Sequence, residues 1–214
     1  MVDLDGHTKT LYGVQKDGAD FDHKGRWSYN VLLASLAGTG ECLAVRNRPG
    51  NVRSSNGAAE LLDETLPRVK GRFAKVLVRA DSDFDRREVR EACAAEGAFF
   101  AFVAREATNR LSWAEAIPES AWKPFRTRAH REQQARRSAS GFVARRKKRN
   151  RRRRRARERG YTDLKLMRQW VAEIPWTPKG SEKTCRMILR RQLIEERDGQ
   201  GHLFEFYRYR YVVT

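Results

Sequence analysis

The residues best able to do chemistry in this chain are aspartates at the ends of apolar runs. In "KVLVRADSDF", residues 75 to 84, Val76, Leu77 and Val78 lead directly into Asp81 and Asp83, with Asp85 one residue beyond. An apolar run of this length bounded by polar residues reads as a central strand of an α/β sheet. Ligands and working groups gather at the carboxyl ends of such strands, which makes Asp81 a candidate. A second run, "VDLD", ends in Asp5. Two carboxylates held close together repel and raise each other's pKa unless a cation neutralises them. A hard divalent ion that prefers oxygen ligands, Mg2+ or Mn2+, suits such a pair. Two such ions about 4 Å apart would serve phosphodiester cleavage. The competing reading is local: Asp5 opens a turn with Gly6, and Asp81, Ser82 or Asp83 caps a helix beginning near Phe84.

Residues that far apart in sequence meet only if the elements between them bring them together. "WSYNVLLASLAGTGECLAVRNRPG" reads as two β-rich runs joined around Gly38-Thr39-Gly40, a hairpin. "SSNGAAELLDETLPRV" has a serine cap and places Ala58, Leu61, Leu62, Leu66 and Val69 at helical spacing, with Pro67 ending or kinking its last turn. "FDRREVREACAAEG" reads as a helix that buries Val89, Ala92 and Cys93 and stops at Gly97, and "AFFAFVARE" as a strand. The order is three strands, helix, strand, helix, strand. Three antiparallel strands followed by α-β-α-β is the layout of a ribonuclease-H-like mixed sheet, in which the first and fourth strands are neighbours at the centre. That arrangement would bring Asp5 and Asp81 to one edge. Residues 1-110 are read as the first part of this core, and residues 111-214 as a β-rich, basic insertion.

The formal net charge of +18 over 214 residues points to a polyanionic partner, most directly nucleic acid. No stretch is long and apolar enough to span a bilayer, and no signal peptide opens the chain, so no membrane partner is expected. Cys42, Cys93 and Cys185 have neither zinc spacing nor a disulfide framework, which places the chain in a reducing cytoplasm. The four histidines, His7, His23, His130 and His202, form no nucleophile or metal signature.

"VDLDGHT", "KGRWSYNVLLA", "RPGNVRSSNGAAELL" and "LVRADSDF" together resemble the DDE transposases of bacterial insertion sequences, DDE transposase group 1. The family carries a Gly-Asn-x-x-Ser-x-x-Gly stretch and an Arg-Ala-Asp-Ser-Gly-Phe motif. "RERGYTDLKLMRQWVAEIPWTP" and "HLFEFYRYRYVVT" resemble its β-rich insertion and closing strand, with a break at about residues 120 to 155. The resemblance implies DNA transposition at the terminal repeats of a mobile element, by metal-dependent strand cleavage and transfer in the bacterial nucleoid. Residue by residue, Asp5 and Asp81 match the first two metal-binding acids, with Asp3 the alternative for the first. Asp83 stands where the family has glycine, which an Asp replaces less favourably if the backbone needs a positive φ. The third acid, a glutamate in a Tyr-x-x-Arg-x-x-x-Glu pattern, has no match. The expectation is a core fragment without the family's N-terminal DNA-binding region and C-terminal catalytic helix, inactive alone and prone to form homo-oligomers through an uncovered sheet face. The alternatives are a non-catalytic nucleic-acid-binding protein on a degraded scaffold, or a hydrolytic nuclease of the same fold.

"ARRKKRNRRRRRARERG", residues 144 to 160, is the remaining feature. Arg145, Arg146, Lys147, Lys148, Arg149, Arg151, Arg152, Arg153, Arg154 and Arg155 make ten of eleven consecutive residues basic. Such a block repels itself and suits phosphate contact, with a solvated loop as the plain alternative. Trp170 and Trp176 follow, at a spacing that suits a core better than base stacking.

Overall fold

The computed structural model describes residues 1–13, 15–104, 108–126, 163–178, 181, 183–197 and 203–214. These fall into two compact units. The first comprises 1–106, 174–188 and 211–214, and the second 107–173 and 189–210. The arginine run, His130, His202 and the segment around Asp198 lie outside the described residues.

In the first unit, β1 (Val2–Thr10), β2 (Asp20–Phe21), β3 (Trp27–Leu36) and β4 (Cys42–Arg46) precede α1 (Ala58–Lys70). β5 (Leu77–Ala80), α2 (Arg87–Ala95) and β6 (Phe99–Ala104) then follow. β1 lies between β3, to which it is antiparallel, and β5, to which it is parallel. β6 adds parallel to β5 on the far side. The end of the last strand, β10 (Leu203–Val213), pairs antiparallel with β6 from Tyr211 to Val213. The fold is mixed α/β and mostly antiparallel, and among the described pairings β1–β5 and β5–β6 are parallel.

Alternation along the strands decides which side is core. Val2, Leu4, Val78 and Ala80 point into one hydrophobic cluster with Leu32, Ala34 and Phe102. The helices cover that same side, α1 through Leu61, Leu62, Leu66 and Val69, and α2 through Val89, Ala92 and Cys93. Each large aliphatic side chain so buried contributes about 1.5–3 kcal/mol. The odd-numbered residues of β1, Asp3, Asp5 and His7, therefore take the opposite face. α2 ends as its sequence predicts. Gly97, at φ 60°, lets the Ala98 amide reach back to the Cys93 carbonyl (2.8 Å) and its own amide to Ala94 (3.0 Å), a Schellman closure.

Three local expectations are corrected. β1 does not stop at "VDLD" but continues nine residues to Thr10. Asp5 is thus a mid-strand residue opposite Leu33 and opens no turn with Gly6. α1 is capped by Gly57 in the left-handed region, not by a serine side chain. Its Pro67 is accommodated one turn before the end, where the Gly71 amide bonds the Pro67 carbonyl. The helix after β5 begins at Arg87, not near Phe84, because residues Ser82–Phe84 first form a 3₁₀ turn.

The second unit holds α3 (Thr108–Ala116), for which the sequence pattern gives no assignment, and a two-residue β7 (Lys123–Pro124) paired with the part of β8 (Asp163–Trp176) that lies in this unit. It also holds parts of β9 (Cys185–Arg197) and β10. Its buried residues include a cation. Arg191, 7% exposed, donates both terminal nitrogens to the Glu119 carboxylate (2.5 and 2.8 Å). Its guanidinium lies over Trp122 (4.5 Å), Trp170 (5.0 Å) and Tyr207 (5.0 Å). Trp170 is therefore a packing residue that shields a cation. Trp176 carries Arg90 at 5.7 Å within the first unit.

Candidate metal centre at the strand ends

β1 and β5 pair at Val2–Val78 and Asp3–Arg79, and there the parallel ladder ends. Carried on by two residues past that end, the same offset would set Asp5 level with Asp81, the residue just after β5. At that level β1 keeps its β3 neighbour, and no described strand pairs with its other side. The pairing brings together segments far apart in sequence, and the first consequence is an ion pair. Arg79 donates from Nε and Nη2 to the two oxygens of Asp3 (2.8 and 2.7 Å). The bidentate contact holds the Arg79 guanidinium above its ordinary pKa and uses both Asp3 oxygens. Asp5, exposed on the same face, has no side-chain partner among the described residues.

Asp81 is extended (φ −78°, ψ −172°), and one of its oxygens accepts the Asp83 amide at 2.9 Å, capping the 3₁₀ turn. The local capping reading of Asp81 thus describes a real contact, which leaves the other oxygen unbonded by any described residue. Capping and metal ligation are compatible: the cap fixes the carboxylate's orientation. No described non-glycine residue has a positive φ, so Asp83 occupies the family's glycine position without backbone strain. Asp85 pairs with Arg90 on α2. Among the described residues no group of three His, Cys, Asp or Glu gathers as a metal cluster. Two hard carboxylates, one in mid-strand on β1 and one just past the end of β5, are a donor set that fits a divalent, oxygen-preferring ion.

The loop after β4 is pinned against this edge by residues that carry no recognisable signal in the sequence. Arg48 donates from Nε to the Asn30 carbonyl (3.1 Å) and from Nη1 to the carbonyls of Arg53 and Ser54 (3.2 Å each) and Asn56. The Asn30 side-chain Nδ2 donates to the Val52 carbonyl at 2.7 Å. The loop comes so close that a Cβ on Gly6 would stand 2.7 Å from the Ser54 Cβ. A Cβ on Gly50 would meet the Asp20 carbonyl at 2.4 Å. Glycine is required at both positions by close approach. The "RPGNVRSSNG" stretch was the available signal for this loop; nothing in the sequence marked Arg48 or Asn30 as its brace.

The family model described as Transposase DDE domain group 1 matches residues 1–214. The chain belongs to that family. As a member of the transposase DDE domain group 1, it is also similar to a solved structure, the cryo-EM piggyBac transposase synaptic complex with hairpin DNA. The two share 10% sequence identity with a TM-score of 0.37, over 99% of this chain and 32% of that one. The chain therefore spans about a third of that transposase's length. No curated protein matches this chain. Among its described residues no helix is long and apolar enough to cross a membrane.

Proposed function

We propose that this chain acts in DNA transposition, with Asp5 and Asp81 as acidic metal ligands of a ribonuclease-H-like core that cleaves and transfers DNA strands. The observation that carries the reading is the parallel β1–β5 pairing at Val2–Val78 and Asp3–Arg79, whose offset, extended by two residues, would bring Asp5 level with Asp81, while Arg79 withdraws Asp3. It favours Asp5 over Asp3 as the first ligand. Family membership and the net charge of +18 support DNA as the partner. A divalent ion bound there, as DDE transposases generally use, supplies positive charge for displacement at a phosphodiester. The protein's own share is orientation. Asp81 is held by its cap to the Asp83 amide, and Asp5 by the β1–β3 ladder. With these two acids as the ligand set, the 214-residue chain is expected to bind metal and DNA while leaving DNA uncut, because displacement needs both the attacking and the leaving oxygen stabilised.

The test is a calorimetric Mn2+ titration of the chain and of Asp81→Asn. Asn caps a turn as well as Asp does, so the variant keeps the fold and loses the charge. Affinity should fall by at least the roughly tenfold that loss of an outer-shell partner costs. Unchanged affinity removes the metal reading and favours the second one, a non-catalytic nucleic-acid-binding protein. A nicking assay on DNA bearing the element's ends completes it: cleavage by the 214-residue chain, abolished in Asp81→Asn, would show the chain active alone.

A further inference from the structure

The braced loop does more than pack against Gly6. Together with the turn after Asp81 it walls a cavity of about 400 Å³, lined by Arg53, Ser54, Ser55, Asp83 and Arg86 among others. That volume lies in the range of small-ligand sites, but this lining is polar. Several of its donors are unspent. Ser55 is only 9% exposed, and its hydroxyl bonds no described residue. Arg86 is half-buried, and only its Nε is engaged, with the Asp83 carbonyl at 3.3 Å. The contrast with its neighbours is informative. Arg87 pairs with Glu91, and Arg90 with Asp85, whereas Arg86 has no acidic partner among the described residues. Arg53, exposed at the rim, has none either. A part-buried guanidinium and a nearly buried hydroxyl, both opening on one cavity, are the donor set for an oxyanion.

We propose that this cavity seats one phosphodiester of the DNA strand, held by Arg86 and Arg53 with the hydroxyls of Ser54 and Ser55. The anion's class follows from Asp83. A carboxylate in the same wall disfavours a doubly charged phosphate monoester more than a singly charged diester. The seat also adjoins the candidate metal centre, because Asp83 lines the cavity and its amide is the group Asp81 caps. Arg86 and Ser55 are thus positioning residues that set a strand beside Asp81. The inference rests on the DNA reading above and adds the place where the backbone is held.

The experiment is an amide NMR titration of the metal-free 214-residue chain with the dinucleotide thymidylyl-thymidine, which carries one phosphodiester. Saturable shifts are expected at Ser54, Ser55 and Arg86. Arg86→Gln should weaken binding roughly tenfold, the effect of losing a charge-assisted hydrogen bond, and Ser55→Ala should weaken it less. Inorganic phosphate at neutral pH should bind more weakly than the dinucleotide. Shifts confined to other residues, unchanged affinity in Arg86→Gln, or equal binding of inorganic phosphate would each overturn the proposal. The titration needs no metal, so it separates from the Mn2+ test. Dinucleotide binding that survives Asp81→Asn leaves the seat standing if the metal reading fails, and intact Mn2+ binding with no dinucleotide shifts removes the seat alone.

Discussion

Asp3 and Asp5 share a strand face and a charge, yet their surroundings divide them. Asp3 gives both oxygens to Arg79, while Asp5 gives none to any described residue. An ion pair this exposed contributes only about 0.2–1 kcal/mol to stability, so its larger effect is to withdraw a carboxylate from competition for metal. Asp5→Asn should therefore lower Mn2+ affinity strongly, while Asp3→Asn should leave it nearly unchanged and shift the melting temperature slightly. Calorimetry on the two variants checks this. The reverse order would move the first ligand to Asp3 and make the Arg79 contact a pair that opens on metal binding.

At the scale of elements, the tight connection from β2 into β3 is organised by a single carboxylate. Asp22 accepts the Lys24 amide (2.9 Å), the Arg26 amide (2.9 Å) and Arg26 Nε (2.8 Å). The Arg26 side-chain hydrogen bond is the largest of the effects that hold its pKa down, from an ordinary 3.8 to about 2. A carboxylate whose folded pKa is depressed contributes stability above its unfolded pKa and loses it as pH falls through the folded value. The contribution of Asp22 should be complete above about pH 4 and disappear towards pH 2. Thermal melts of the chain and of Asp22→Ala across that window should differ most at the upper end and converge at the lower. Parallel curves throughout would mean that Asp22 does not hold the turn through its charge. The α1 start behaves differently: Gly57 supplies backbone geometry and no side-chain bond, so pH has no hold on it.

For the whole molecule, the largest quantity is charge. Forty-five lysines and arginines against twenty-seven acids leave +18, and ten of the basic residues stand between Arg145 and Arg155. Phosphate contacts release counterions, so each one steepens the fall of DNA affinity with salt. Replacing Arg151 to Arg155 with Gln should reduce the logarithmic salt slope by about one unit for every phosphate these arginines engage. Preference among DNA sequences should change little, because such contacts position without reading bases. Fluorescence anisotropy at several salt concentrations measures both. A slope equal to that of the parent chain assigns the run to a solvated loop.

Much of the first unit was legible in the sequence because its signals are local. The β-rich run through "VLLASL", the helical spacing of Leu61, Leu62 and Leu66, and Gly97 as a stop each depend on residues a few positions apart, and each matches the structure. The element order also carried the neighbourhood of β1 and β5. Capping chemistry was harder to assign: a serine and a glycine can both start a helix, and the choice of Gly57 depends on how the preceding loop enters. What tertiary structure alone decided is who meets whom across the fold. Arg79 neutralises Asp3, Arg48 and Asn30 hold the loop that excludes a side chain at Gly6, and Arg191 lies among three aromatic rings over Glu119. Periodicity records which face of an element is buried. It does not record the register between strands or the rotamer of a long cationic side chain, and these are set by packing and charge pairing among residues distant in sequence.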